Sequence, residues 1–117
     1  MKIRNFAFYG SLQKKLEKEC KRKYGNEGPL KFIEIIGVIE EIQNMQIPRD
    51  NKWKQIQKNV YEIMPFGHKP PERLFCYKKA GSEEYVIVEF DLRKKHEKIK
   101  SEYLKLILKK GKNYFGG

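Results

Sequence analysis

"ERLFCYKKAGSEEYVIVEF", Glu72 to Phe90, reads as two extended segments folded back on one another. "ERLFCYKK" and "EYVIVEF" are rich in β-branched and aromatic residues, and Ala80, Gly81 and Ser82 between them are turn formers. In the first segment Arg73, Phe75 and Tyr77 fall on one face and Leu74 and Cys76 on the other. In the second, Val86, Val88 and Phe90 alternate with Tyr85, Ile87 and Glu89, which suits a central strand covered by helices on one side. If Leu74 and Cys76 point to the core, Arg73 and its two aromatic neighbours look out from an open face. The alternative is cross-strand packing with Arg73 paired to Glu62.

Upstream, "QKNVYEIMPFG" has the same strand character and is closed by the Gly- and Pro-containing run Gly67 to Pro71. Three antiparallel strands in a meander are therefore expected in the second half. The first half differs. Ile3, Phe6 and Phe8 mark a short strand closed by Gly10, and Ser11 is placed to cap a helix, "LQKKLEKECKRKYG", with Leu12 and Leu16 on one face and charged residues elsewhere. Pro29 fits the first turn of a second helix, which Pro48 stops by Ile47. Its apolar stripe is Leu30, Ile33, Ile36, Ile39 and Ile42 with Phe32 and Ile35 alongside, wide enough to cover a sheet. Gly37 inside it costs about 1 kcal/mol of helix propensity, which points to a close packing contact there. After the last strand, Ile99, Tyr103, Leu106 and Ile107 recur at helical spacing. The expectation is a single α+β domain over 1–117: an N-terminal strand, two helices, a three-stranded antiparallel meander and a C-terminal helix.

Charge points to the partner. The chain has 117 residues, 26 Lys and Arg against 15 Asp and Glu, and a formal charge of +11. Such an excess suits polyanions, bound through charge neutralisation and counterion release. The excess is densest where the last strand ends. Arg93, Lys94, Lys95, Lys98, Lys100, Lys105, Lys109, Lys110 and Lys112 face only Glu97 and Glu102 over that stretch. For any one lysine a solvated helix face is the plainer account; the cluster as a whole reads as a phosphate-binding surface.

The candidates for chemistry are few. Arg73 beside Phe75 and Tyr77 is equipment for holding a phosphate while stacking an unpaired base. His68 and His96 carry imidazole, the side chain that titrates near neutrality without help, and Glu62 is a candidate general base on the neighbouring strand. No His or Cys pair has metal-ligand spacing and no acidic cluster exists, so neither a metal nor another cofactor is expected. Cys20 and Cys76 do not make a disulfide framework and read as reduced thiols, Cys76 as a small core residue. The opening residues lack a signal-peptide core and no apolar run approaches the roughly 20 residues of a membrane span, so a cytoplasmic location without membrane contact is expected.

Taken together, "VYEIM" with Tyr61 and Glu62, "ERLFCY" with Arg73 and Tyr77, "FDLRKKHEKIK" with Phe90, Lys94 and Lys95, and "KKGKNY" with Lys110 and Tyr114 resemble the RelE/ParE superfamily of toxins from type II toxin-antitoxin pairs, in particular its HigB-like, phage-derived branch. The likeness runs from Asn59 to Tyr114, and over the first half rests on element order alone. The resemblance implies a RelE-like, microbial ribonuclease-like sheet and a ribosome-dependent mRNA endonuclease that inhibits translation. Its partners would be mRNA on the ribosome and a cognate antitoxin, a helix-turn-helix DNA-binding protein that covers the basic face. Carried over, Arg73 would stabilise the phosphate, Lys94 and Lys95 would bind or neutralise the backbone, and Tyr114 would position a base; Arg93, Tyr77 and Lys110 complete the candidate RNA-binding set. Glu62 or His96 for proton transfer is an extension from the chemistry of cleavage, not from the family. The alternative is a non-enzymatic member, binding nucleic acid or poisoning gyrase in the ParE manner; Met64, where the family has arginine, favours it. On this reading Arg73→Ala is expected to abolish toxicity and leave the fold intact.

Overall fold

The computed structural model describes residues 4–44, 51–93 and 101–116. Chain order is β1 (Asn5–Phe8), α1 (Leu12–Tyr24), a 3₁₀ turn (Gly25–Glu27), α2 (Gly28–Asn44), β2 (Trp53–Gln57), β3 (Val60–Ile63), β4 (Arg73–Lys78), β5 (Glu84–Asp91) and α3 (Ser101–Tyr114). The five strands form one mixed sheet in the order β1-β5-β4-β3-β2. The helical hairpin carries the chain from β1 to the far edge, and the meander then walks back until β5 lies parallel to β1. Among the described residues no helix is long and apolar enough to cross a membrane.

The α+β class and the order strand, two helices, meander, helix are as expected, but the meander has four strands, not three. The additional one is β2, "WKQIQ", which offers only Trp53 and Ile56 as half-buried apolar positions. An edge strand needs a single partner, and β2 acquires it through a tight turn in which Asn59 takes φ 66°, a left-handed conformation that asparagine tolerates.

Two apolar layers flank the sheet. On one face Leu12, Leu16 and Cys20 of α1 and Ile35, Val38, Ile39 and Ile42 of α2 pack with Ile63, Leu74, Cys76 and Ile87. On the other, Ile107 of α3 packs with Val60, Phe75, Tyr77, Val86 and Val88. The expected open face therefore carries α3. The stripe of α2 is also turned from expectation, since Leu30 and Ile33 are 58% and 64% exposed. Gly28 explains the turn: a Cβ there would stand 2.6 Å from the Cα of Lys21, so α2 starts pressed against the backbone of α1. Gly37, expected at a close contact, has nothing beyond its chain neighbours and its own helix backbone within 4 Å of where a Cβ would be. Ser11 occupies the N-cap of α1, but its side chain makes no capping bond.

A bulge in β5 changes which side chains meet α3. Phe75 pairs with Glu89 and Cys76 with Ile87, leaving Val88 as the extra residue. Beyond it the alternation inverts, so Phe90 joins the α1–α2 layer while Glu89 turns to α3, the reverse of strict alternation.

Candidate nucleic-acid interface

Arg73 opens β4 and is 3% exposed. Its Nε lies 2.7 Å from Oε1 of Glu62 on β3, a side chain itself 10% exposed. Nη1 donates to the carbonyls of Glu72 at 2.7 Å, Pro70 at 2.8 Å and Gly67 at 3.3 Å, and Nη2 to that of His68 at 2.8 Å. The guanidinium fork thus ties the 67–72 loop to the sheet, with its donors turned inward. The placement of Arg73 on an open face is corrected; the pairing with Glu62 is what forms. Charge burial is tolerable here because the two ions face each other and four carbonyls accept from Nη1 and Nη2.

Next to it, Glu72 is buried and receives a second set of partners. Lys23 of α1 places Nζ 2.7 Å from Oε2 of Glu72 and also donates to the carbonyl of Leu92, and the Tyr24 hydroxyl donates to the same Oε2. Burial by itself would raise the Glu72 carboxyl, but the hydrogen bonds from Lys23 and Tyr24 outweigh it and hold the group below its ordinary value. Burial, then the bond to Glu72, pushes the Tyr24 hydroxyl up, so it remains a donor. Nothing in the sequence around Lys23 points to this role, and Glu72 stands out there only as an acidic residue before Arg73 where the RelE/ParE pattern has an aromatic. The available signal was an acidic residue at the head of an apolar strand.

Tyr77 is not a free aromatic either: it is 8% exposed, with Gly111 of α3 laid directly over its ring. Tyr103 at the other end of α3 meets Phe75 edge-on at 5.2 Å between centroids. The helix therefore runs back along the sheet from the end of β5 towards the β4–β5 turn. Lys110 is half-buried, pairs with Glu89, and holds its ammonium 5.8 Å from the Tyr9 ring. Tyr114 is 44% exposed and its ring stands 6.4 Å from that of Tyr9. Arg93 is exposed at the end of β5, where its backbone N–H donates to Asp91. Lys94, Lys95 and His96 lie outside the described residues.

The outward surface of α3 is basic. Lys105, Lys109 and Lys112 are all exposed and spaced to share one side of the helix. His68, exposed in its loop, rims a cleft of about 520 Å³ with Trp53, Lys54, Gln55 and Tyr61. Among the described residues no three His, Cys, Asp or Glu side chains gather as metal ligands would. The outward side of α3 is thus cationic, while Arg73 is engaged with Glu62 and the 67–72 loop. No family model, curated protein or solved structure matches this chain.

Proposed function

We propose that this protein is a toxin of the RelE/ParE kind that acts on RNA, as a ribosome-dependent mRNA endonuclease of the HigB-like branch. The observation that carries the reading is the row of exposed cations Lys105, Lys109 and Lys112 on one side of α3, in a chain that also exposes Arg93 just past β5. A chain with formal charge +11 gains binding free energy by releasing counterions from such a surface. The order of elements and the motifs from Tyr61 to Tyr114 also support it. Phosphate contacts fall to Arg93, Lys94 and Lys95, a base contact to Tyr114, and proton transfer to His96. Arg73 and Glu62 act as the anchor of the neighbouring loop. A helix-turn-helix antitoxin covering the basic face in the cytoplasm would complete the pair.

The second reading is a non-enzymatic member that binds nucleic acid or poisons gyrase. It is favoured by Arg73, whose guanidinium is buried in an ion pair with Glu62 and donates from Nη1 and Nη2 to four backbone carbonyls.

The test is induced expression in a bacterium, mapping mRNA 5′ ends by primer extension beside a Lys94→Ala, Lys95→Ala control. New ends inside translated codons, lost in the control, support the nuclease. Growth arrest without new ends transfers the proposal to the second reading, and unimpaired growth overturns both toxin readings.

A further inference from the structure

The last turn of α3 closes over a cavity of about 350 Å³ lined by Tyr77, Lys79, Ala80, Lys112 and Phe115. That volume lies at the small end of the roughly 300–1,000 Å³ typical of ligand sites. Its floor is aromatic: the Tyr77 and Phe115 centroids are 6.2 Å apart with planes tilted by 37°. Its mouth carries two cations. Lys79 is about half exposed, with Glu84 3.7 Å from its ammonium, and Lys112 is exposed on α3.

Gly111 makes this arrangement possible. A Cβ there would stand 2.1 Å from Cγ of Tyr77, so only glycine lets the helix settle on that ring. Glycine costs a helix interior about 1 kcal/mol, and the chain accepts it where Lys112 and Phe115 must be brought to the cavity. From the cavity the exposed lysines continue as Lys109 and Lys105, a rise of about 10 Å from Lys105 to Lys112.

We infer that this cavity seats one unpaired base of a single-stranded RNA, with flanking phosphates on Lys79 and Lys112 and the strand continuing along Lys109 and Lys105. The inference rests on the RNA reading above and adds where and how the strand is held. An aromatic floor with cations at the rim is the combination by which sequence-tolerant proteins hold single strands, because every base has a stacking face and every linkage a charge. A base paired and stacked inside a duplex cannot enter a pocket of this shape without leaving its stack.

The test is calorimetric titration of the whole protein with oligouridylate of about eight nucleotides, a length within the usual range for one such site, at several salt concentrations. The same RNA annealed to its complement is the comparison. Phe115→Ala is expected to weaken single-strand binding by roughly tenfold through lost stacking, with the salt slope unchanged. Lys112→Gln is expected to flatten the slope by about 0.7, the share of one phosphate contact on a single strand. Lys18→Gln, an exposed lysine on α1, should leave both quantities at wild-type values. Thermal melting of each variant separates lost binding from lost folding, and Lys112→Gln keeps the test decisive if Phe115→Ala loosens α3. Wild-type affinity and slope in both cavity variants would overturn the inference alone, as would duplex binding as tight as single-strand binding. Failure of the wild-type protein to bind or cut any RNA would remove the functional reading, and this inference with it.

Discussion

Arg73 and Glu62 meet at 2.7 Å across β3 and β4 with both side chains almost wholly buried. They are diagonal neighbours, since Glu62 pairs in register with Phe75, two residues along from Arg73. The pair shows why a residue placed in a site by its neighbours in sequence can be structural instead.

Removing one partner leaves the other charged and buried. Arg73→Ala should therefore destabilise the fold by about 3–5 kcal/mol, which urea denaturation will measure. Replacing both, as Arg73→Met with Glu62→Leu, should recover most of that loss because no lone charge remains. Arg73→Ala cannot then be expected to leave the fold intact, and a loss of toxicity in that variant reports on folding first. Wild-type stability in Arg73→Ala would return Arg73 to the list of substrate contacts.

Two glycines should respond in opposite directions to the same substitution. Gly111→Ala forces α3 away from Tyr77 or the ring out of its place, and overpacking of this kind costs about 1–3 kcal/mol, more than alanine's better helix propensity returns. Gly37→Ala, with open space where its methyl would go, should stabilise by up to about 1 kcal/mol. Parallel melts of the two variants decide it; a stabilised Gly111→Ala would contradict the packing described.

Glu72 sets a direction for acid sensitivity. Its carboxyl is held below the ordinary value of 4.5, so its contribution is present above that pH and is lost as pH falls through the lowered folded-state value. Urea midpoints should fall as pH drops below about 4.5, and Glu72→Gln should remove part of that dependence while lowering stability near neutrality. An unchanged pH profile in Glu72→Gln would assign the acid sensitivity to other carboxylates.

Both cysteines should be inert in the native protein. Burial, then the nearby Glu72 charge, pushes the Cys20 thiol up to about 11, and burial alone raises that of Cys76. Neither thiolate is present to react at neutral pH. Alkylation at pH 8 should therefore proceed only as fast as the chain unfolds, speeding up sharply in urea. Rapid labelling without denaturant would show that one of the two layers opens locally.

Local sequence pattern sufficed for every element except β2. Period-two alternation in "ERLFCYKK" and "EYVIVEF", the turn at Ala80 to Ser82 and the helical spacing in α1 and α3 are local properties, carried by side chains whose burial needs no distant information. The positive charge gathered after Leu92 was equally legible, because charge adds up whatever the fold. Tertiary structure alone decided which faces were covered. β2 exists because β3 offers it a partner; α2 is rotated because Gly28 meets the backbone of α1; the Val88 bulge sends Glu89 to Lys110. Arg73 reads as exposed by alternation and is buried because the 67–72 loop lends it four carbonyls. Each of these depends on an approach between segments far apart in the chain, or on backbone acceptors that no side-chain pattern records, and the cavity beside Gly111 is the same kind of feature.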